Sequence, residues 1–206
     1  ASVSDTDVVP TRQRLLSAGA EVFAERGYEG GSTRDICARA NTSINMVHHY
    51  FGSKADLLEA IVEQYGEHVL ELPMQLLAVP TKSRDDFISR VELLFVTTLE
   101  ACLEHRNLLK VVMREDASPQ ALVDYTDTFV RFLDQGKQHG LVREGLDTTM
   151  ITGAILDRII NQVLYIPGLS KAHGIDVTDP GYRERWCASN VDFFVHGMLP
   201  AAHPGT

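Results

Sequence analysis

Between Gly27 and Lys54 the chain is interrupted three times by residues that stop helices, and the pieces between the interruptions are too short to stand alone. Glu29-Gly30-Gly31 is a turn, Asn41-Thr42-Ser43 is a break, and Gly52-Ser53 is a second stop. Isolated helices shorter than about 12–15 residues are marginal in water, so two short helices here need longer neighbours to brace them. Those neighbours are present. From Thr11, with Thr11 or a residue near it as the cap, Leu15, Leu16, Gly19, Ala20, Val22 and Phe23 share one helical face up to Gly27. After Lys54, Leu57, Leu58, Ile61, Val62 and Tyr65 repeat at the same spacing. Ser32 is an N-cap with Asp35 three residues on, and Ser53 is another with Asp56 in its first turn. Ser43 is expected to cap the helix between them, with Ile44, Val47 and Phe51 turned inward. The first seventy residues therefore read long, short, short, long.

No run alternates at period two for long enough to argue a sheet, so the expected class is all-α, with about nine helices. Pro73 and Pro80 are expected to bound a non-helical link. Five further helices follow, at approximately 84–104, 106–116, 119–139, 147–166 and 181–199. Pro119 suits a first turn. Pro167 to Pro180 is a long polar connection containing Gly168, Gly174 and Asp179. The expected organisation is a loose N-terminus at 1–10, a helix-turn-helix head at 11–54, a connecting helix at 55–72 and a helical body at 73–206.

Composition narrows the classes. Cys37, Cys102 and Cys187 are far apart and form no framework pattern, so small buried thiols are expected rather than a redox device. There is no basic start leading into an apolar run, and no segment approaches the roughly 20 uncharged residues that a membrane span needs. A cytoplasmic address is the expectation. No nucleophile sits in a recognisable elbow and no HExxH is present, so no enzyme is expected. Cys102 and His105 lie three apart on a helix and could share a metal, but no further ligands cluster with them; no metal or cofactor is expected. The formal net charge is −9, and residues 1–60 hold six Lys/Arg against eight Asp/Glu. A bulk basic footprint, the usual mark of a nucleic-acid binder, is missing. Any such activity has to rest on local arrangement.

The arrangement at 27–54 is that of a helix-turn-helix, in which the second short helix lies in the major groove. Ala38 and Ala40 supply small residues at the crossing, Val47 and Phe51 an apolar face, and Asn45, His48 and His49 a polar one. Residues 11–61 closely resemble the DNA-binding head of the TetR family of bacterial regulators. The resemblance is carried by Thr11-Arg12, Ala18, Phe23, Gly27-Tyr28, Ser32, Arg34-Asp35-Ile36, Ala40, Ser43, Tyr50-Phe51, Ser53-Lys54 and Leu57. It covers about a quarter of the chain; Tyr182 to Trp186 leading into Asp192 to Gly197 also looks like the family's final helix. The chain departs from the common pattern at Asn41 and Asn45, where glycine is usual, and at His48, where tyrosine is. Asn tolerates left-handed backbone, so the turn is expected to survive at Asn41. The departures bear on the operator sequence, because Asn45 and His48 face DNA.

The resemblance and the chemistry together assign candidate DNA contacts. Asn45 can pair with an adenine edge or a phosphate. His48 and His49 can donate to phosphates or bases, or be ordinary solvated histidines. Tyr50 can donate to phosphate while its ring packs partly inside. Lys54 and the amides that start its helix would hold one phosphate. Ser32, Thr33 and Arg34 suit a second, unless Arg34 is merely salt-bridged. Thr42 and Ser43 lie at the recognition helix start, and Arg12 is within reach of the adjacent backbone.

For the body, the family implies a small-molecule chamber and a homodimer built on the last two long helices. Phe95, Thr98, Tyr125, Phe129, Arg158, Asn161 and Tyr165 are candidate ligand contacts, with Phe87, Leu99 and Phe132 as further walls. The same aromatic residues also suit a plain core. Arg158 favours an anionic or carbonyl-bearing ligand, or pairs across the dimer, or with Asp157 or Glu100. Ile155, Ile159, Val163, Trp186, Phe193 and Phe194 are candidate dimer contacts. The expected function is a dimeric repressor that binds an inverted-repeat operator and is released by a small-molecule effector. An activator, a corepressor-dependent regulator and a helical protein-binding adaptor are the alternatives.

Overall fold

The computed structural model describes residues 9–81, 83–115, 119–164 and 172–199. Among these residues the fold is all-α, with no strand. The helices are α1 (Thr11–Gly30), α2 (Thr33–Arg39), α3 (Met46–Phe51), α4 (Lys54–Tyr65), α5 (Glu71–Ala78), α6 (Arg84–Glu104), α7 (Arg106–Arg114), α8 (Gln120–Gln138), α9 (Thr148–Leu164) and α10 (Pro180–Met198). A π turn, Gly66–Leu70, joins α4 to α5. The chain divides into two compact units: residues 1–65 with 107–119, and residues 66–106 with 120–206.

The first unit is the helix-turn-helix head. Its buried residues include Leu15, Leu16, Val22 and Phe23 of α1, Ile36 and Cys37 of α2, Val47 of α3, and Leu57 and Ile61 of α4. A Cβ at Gly19 would stand 2.7 Å from Ile61 Cδ1, so the approach of α1 to α4 requires glycine there. Ser32 caps α2 as its sequence position predicts, accepting from the Asp35 N–H at 3.1 Å. Ser53 does the same for α4, accepting from Asp56 N–H at 3.1 Å. Asn41 ends α2 at φ 49°, the left-handed geometry that asparagine tolerates.

Pro10, next to Thr11, occupies the N-cap position of α1, within the expected range, and Thr11 Oγ1 accepts from Arg14 at 3.1 Å. Two local expectations are corrected here. Ser43 does not cap α3: two turn residues intervene, Met46 N–H reaches the Ser43 carbonyl at 3.0 Å, and Asn45 holds the N-cap position. That offset leaves Ile44 in the turn, 57% exposed, rather than in the core. The connection is tied down by the Cys37 thiol, which donates to the Ile44 carbonyl at 3.5 Å.

The second unit is a helical body with an aromatic interior. Phe87 and Phe132 stack at 5.2 Å between ring centres, Phe129 lies 6.5 Å from Phe132, and Tyr125 lies 6.2 Å from Phe129. Phe95 meets Trp186 and Phe194 of α10. The non-helical link expected between Pro73 and Pro80 is helical as far as Ala78, so that expectation too is corrected. Pro73 falls in the first turn of α5, directly after the π turn, and its ring is buried. The turn from α5 to α6 is held by Arg90, 9% exposed, which pairs with Asp86 at 3.0 Å and donates to the carbonyls of Leu76, Val79 and Pro80. The five further helices predicted from periodicity are all present within two residues at either end among the described residues, with α7 lying almost wholly in the first unit. Within the connection from Pro167 to Pro180, residues 167–171 lie outside the described residues.

Candidate nucleic-acid interface

The recognition face grows out of how α3 is closed. Val47 is 2% exposed and anchors the helix. Asn45, His48, His49 and Tyr50 are all exposed, so one short helix presents four polar side chains to solvent. Asn45 makes no capping hydrogen bond with its side chain, which leaves the amide available to a partner. His48 Nδ1 meets the Gly52 carbonyl at the helix end, which orients that ring. His49 and Tyr50 touch edge to face, 4.9 Å between ring centres. Phe51 is half-buried, and the Arg12 guanidinium lies 5.2 Å over its ring. Arg12 therefore stands beside the C-terminal end of α3, while Thr42 is partly exposed and Ser43 fully so at its start.

The other expected phosphate contacts sit at helix starts. Ser32 is exposed, but its hydroxyl is engaged twice, accepting from the Asp35 amide and donating to the Asp35 carboxylate at 2.7 Å. Thr33 is partly exposed and Arg34 fully so. Lys54 is partly buried. Its ammonium donates to the carbonyls of Tyr28 at 2.7 Å and Gly31 at 3.1 Å, and lies 4.1 Å over the Tyr28 ring. Two of its three N–H bonds thus brace the head, and the third can reach outward.

The acidity that argues against DNA is spatially partitioned. Residues 36–55, which span the end of α2, the turn, all of α3 and the start of α4, contain no Asp or Glu. Three of the four carboxylates of α1 and α2, all but that of Glu29, are engaged by arginines. Arg39 binds both oxygens of Glu25 at 2.9 Å and reaches Glu21 at 3.4 Å, and Arg26 pairs with Asp35 at 3.1 Å. The Arg39 hydrogen bonds hold the Glu25 carboxyl below the usual range, and the Ser32 hydroxyl does the same for Asp35. Sequence reasoning had no role for Arg14. Its guanidinium ties α1 to the end of α2 through the Ala40 carbonyl at 3.1 Å and also holds the Val9 carbonyl and Thr11. An arginine one turn into a helix carries no signal of such a tie in one sequence.

In the body, Phe95, Thr98, Tyr125 and Phe129 are buried together, with Thr98 Oγ1 3.4 Å from the Tyr125 hydroxyl. Burial pushes the Tyr125 phenol up to about 12, so it stays protonated and can donate. Asn161 and Arg158 are exposed instead. Asn161 donates to the Asp157 carbonyl at 2.7 Å. Arg158 donates to Asn190 at 2.9 Å and lies over the Trp186 ring. Tyr165 falls outside the described residues. Ile155, Ile159 and Val163 are 1%, 2% and 0% exposed, so this stripe is turned to the chain's own core. Trp186 and Phe194 are also buried, whereas Phe193 is 73% exposed. A groove of about 720 Å³ runs between α6 and α10, with Ile88, Val96, Leu99, Val191 and Val195 among its lining residues. Among the described residues no helix is long and apolar enough to cross a membrane.

A braced pair of short helices with a polar, carboxylate-free outer face defines a DNA-binding regulator of the helix-turn-helix class. Residues 15–61 match the model of the "bacterial regulatory proteins, tetR family". Over that segment, about a quarter of its length, the chain is similar to the TetR family. It is similar to the HTH-type transcriptional regulator UidR of Escherichia coli, at 27% identity over 159 residues, covering 74% of this chain and 79% of that one. It is also similar to the HTH-type transcriptional repressor KstR2 of Mycolicibacterium smegmatis, at 26% over 166 residues, covering 74% and 78%. In fold it is similar to the ketosteroid transcriptional regulator KstR2 of Mycobacterium tuberculosis, with a TM-score of 0.70 at 20% identity over 94% of this chain and 97% of that one. FadR of Bacillus subtilis, solved in complex with stearoyl-CoA, gives a TM-score of 0.66 at 19% identity over 90% and 98%.

Proposed function

We propose that the chain is a homodimeric repressor that binds an inverted-repeat operator and is released by a small, largely apolar effector. The observation that carries the DNA half is the outer face of α3. Asn45, His48, His49 and Tyr50 point away from a helix that Val47 anchors, and no carboxylate lies between Cys37 and Asp56 to repel phosphate. Asn45 reads a base edge, most readily adenine through its amide. His49 and Tyr50 contact the groove wall, and His48 contributes its outer ring nitrogen. Arg12, Thr33, Arg34, Thr42, Ser43 and Lys54 position the backbone around them, with Ser32 setting the start of α2.

The pairing surface lies on α9 and α10, as in the family. With Ile155, Ile159 and Val163 committed to the core, it centres on Phe193, beside Arg158, Ser189 and Asn190. A phenylalanine 73% exposed on a terminal helix is a natural anchor for a two-fold contact. Two heads spaced by about 34–36 Å meet successive major grooves on one face of the duplex.

The effector reading rests on less specific ground. Phe95, Thr98, Tyr125 and Phe129 give an aromatic interior with one hydroxyl pair. FadR of Bacillus subtilis has been solved with stearoyl-CoA, and KstR2 of Mycobacterium tuberculosis is a ketosteroid transcriptional regulator. An apolar effector that binds one arrangement of the body better than another shifts the head away from groove register.

Selection from a random duplex library at about 0.15 M salt tests the reading, since phosphate contacts dominate affinity and are screened. Recovery of an inverted repeat, released by an added apolar metabolite, is the expected result. A folded dimer that enriches no motif, with or without small molecules from cell extract, overturns it.

A further inference from the structure

Tyr28 is held from two directions. Its N–H donates to Glu115 Oε1 at 2.8 Å, while its carbonyl accepts from Lys54 Nζ at 2.7 Å and its ring lies under the same ammonium. The reason the N–H is available is a break in α1. Gly27 leaves the helical region at φ 75°, ψ 171°, a conformation open to glycine almost alone. In an unbroken helix the Tyr28 N–H would go to the Ala24 carbonyl. Here Arg114 takes up that end, donating to the carbonyls of Ala24 at 3.5 Å and Glu25 at 3.3 Å. The guanidinium lies so close that a Cβ at residue 27 would stand 3.0 Å from Arg114 Nε. Glu25 in turn holds Arg39 of α2 through both carboxylate oxygens. The last turn of α7 therefore grips the kink of α1 at two points, and each point leads one residue further into the helix-turn-helix.

We infer that Glu115 is a positioning residue for DNA binding: through Tyr28, whose N–H it holds and whose carbonyl the Lys54 ammonium holds, it sets where that ammonium stands at the start of α4, while Arg114 secures the adjoining end of α1. The inference rests on the DNA reading above. In chain order α7 follows α6 of the second unit with only His105 between them. A change in α7 thus reaches Lys54 through the end of α1, by a route separate from any movement of α4 itself. Tyr28 is the shared residue, because its N–H faces one partner and its carbonyl and ring face the other.

The test uses the full chain and the duplex that the wild type selects. Glu115→Ala removes the acceptor of the Tyr28 N–H, and Glu115→Gln restores an oxygen there. Amide exchange at Tyr28, duplex affinity and thermal unfolding are read for each. Glu115→Ala is expected to speed Tyr28 exchange at least about tenfold and weaken duplex binding about tenfold, the size of one charge-assisted hydrogen bond. Glu115→Gln is expected to recover most of both. In a Lys54→Ala background, Glu115→Ala is expected to cost no further affinity, because its effect passes through Lys54. If alanine unfolds the chain, Glu115→Asp, shorter by a methylene, replaces it. Unchanged affinity in Glu115→Ala while the wild type binds, or losses that add to those of Lys54→Ala, overturns the inference alone. A wild type that selects no duplex overturns the DNA reading and this inference with it.

Discussion

The two units are built from the same kind of helix and held together by different means. The head depends on polar groups at defined points. Ser32 and Ser53 cap helices, Arg14 bridges α1 and α2, Arg39 clasps Glu25, and Lys54 braces the turn at Tyr28 and Gly31. The body depends on ring stacking, from Phe87 through Phe132 and Phe129 to Tyr125, and again from Phe95 to α10. A cap or a tie admits only a few residue types at one position. An aromatic interior admits many combinations of similar volume. In the head, binding and stability are therefore separable by substitution, whereas in the body almost any change is felt first as stability.

The largest expected effect breaks that contrast at its body end. Phe132→Ala removes a ring that is 2% exposed and stacked on Phe87. It should lower unfolding free energy by about 3–5 kcal/mol in urea titration. Duplex affinity at temperatures where the variant is folded should be unchanged. A smaller loss is expected at the head's kink. Gly27→Ala places a side chain at φ 75° and against Arg114, and should cost about 1–3 kcal/mol, read as a lower melting temperature. Ser32→Ala removes the cap of α2 and should cost about 1 kcal/mol. It should also let the Asp35 carboxyl rise toward its ordinary value, a shift visible by NMR titration.

The smallest effect concerns pH. His105 ends α6 and stacks on His68, 5.1 Å between ring centres. Burial first, then the neighbouring His68 charge, holds its folded pKa below the unfolded value, with Glu104 opposing. The unfolded chain therefore binds the extra proton first. Stability from this group is present above the unfolded pKa of about 6.5 and declines as pH falls below it. His105→Asn should flatten the slope of melting temperature against pH between about 7.5 and 5.5. Glu25 and Asp35, with depressed carboxyls, yield only lower down, as pH falls through the carboxylate range below about 4.

The same contrast explains what could be read before the fold was seen. Ser32 and Ser53 announced their helices because capping requires a hydroxyl at that one place. Asn41 announced the left-handed turn because few residues sit there without strain. Ser43 misled because it has the right chemistry two residues too early; the length of a turn is set by packing, which here buries Val47 and exposes Ile44. Pro73 misled in the opposite way, since a proline that ends one helix and one that begins the next look alike in sequence. In the body, helix ends were legible from periodicity and the use of each face was not. Ile155, Ile159 and Val163 form a stripe equally suited to a core and to a partner, and only the placement of α9 against α6 and α8 assigns it to the core. The grip of Arg114 and Glu115 on α1 joins residues more than 85 positions apart and left no local mark.

The outer face of α3 carries the central claim, and the most direct measurement compares the wild type with Asn45→Ala/His49→Ala on the selected duplex while following unfolding of both. These side chains are exposed and support no core contact, so melting temperatures should agree within a degree or two of the usual surface-substitution range. Affinity should fall by about 100-fold, the loss of two direct contacts at about 1–3 kcal/mol each. Equal affinity in the two proteins, with both folded, would place recognition elsewhere on the head and contradict the account.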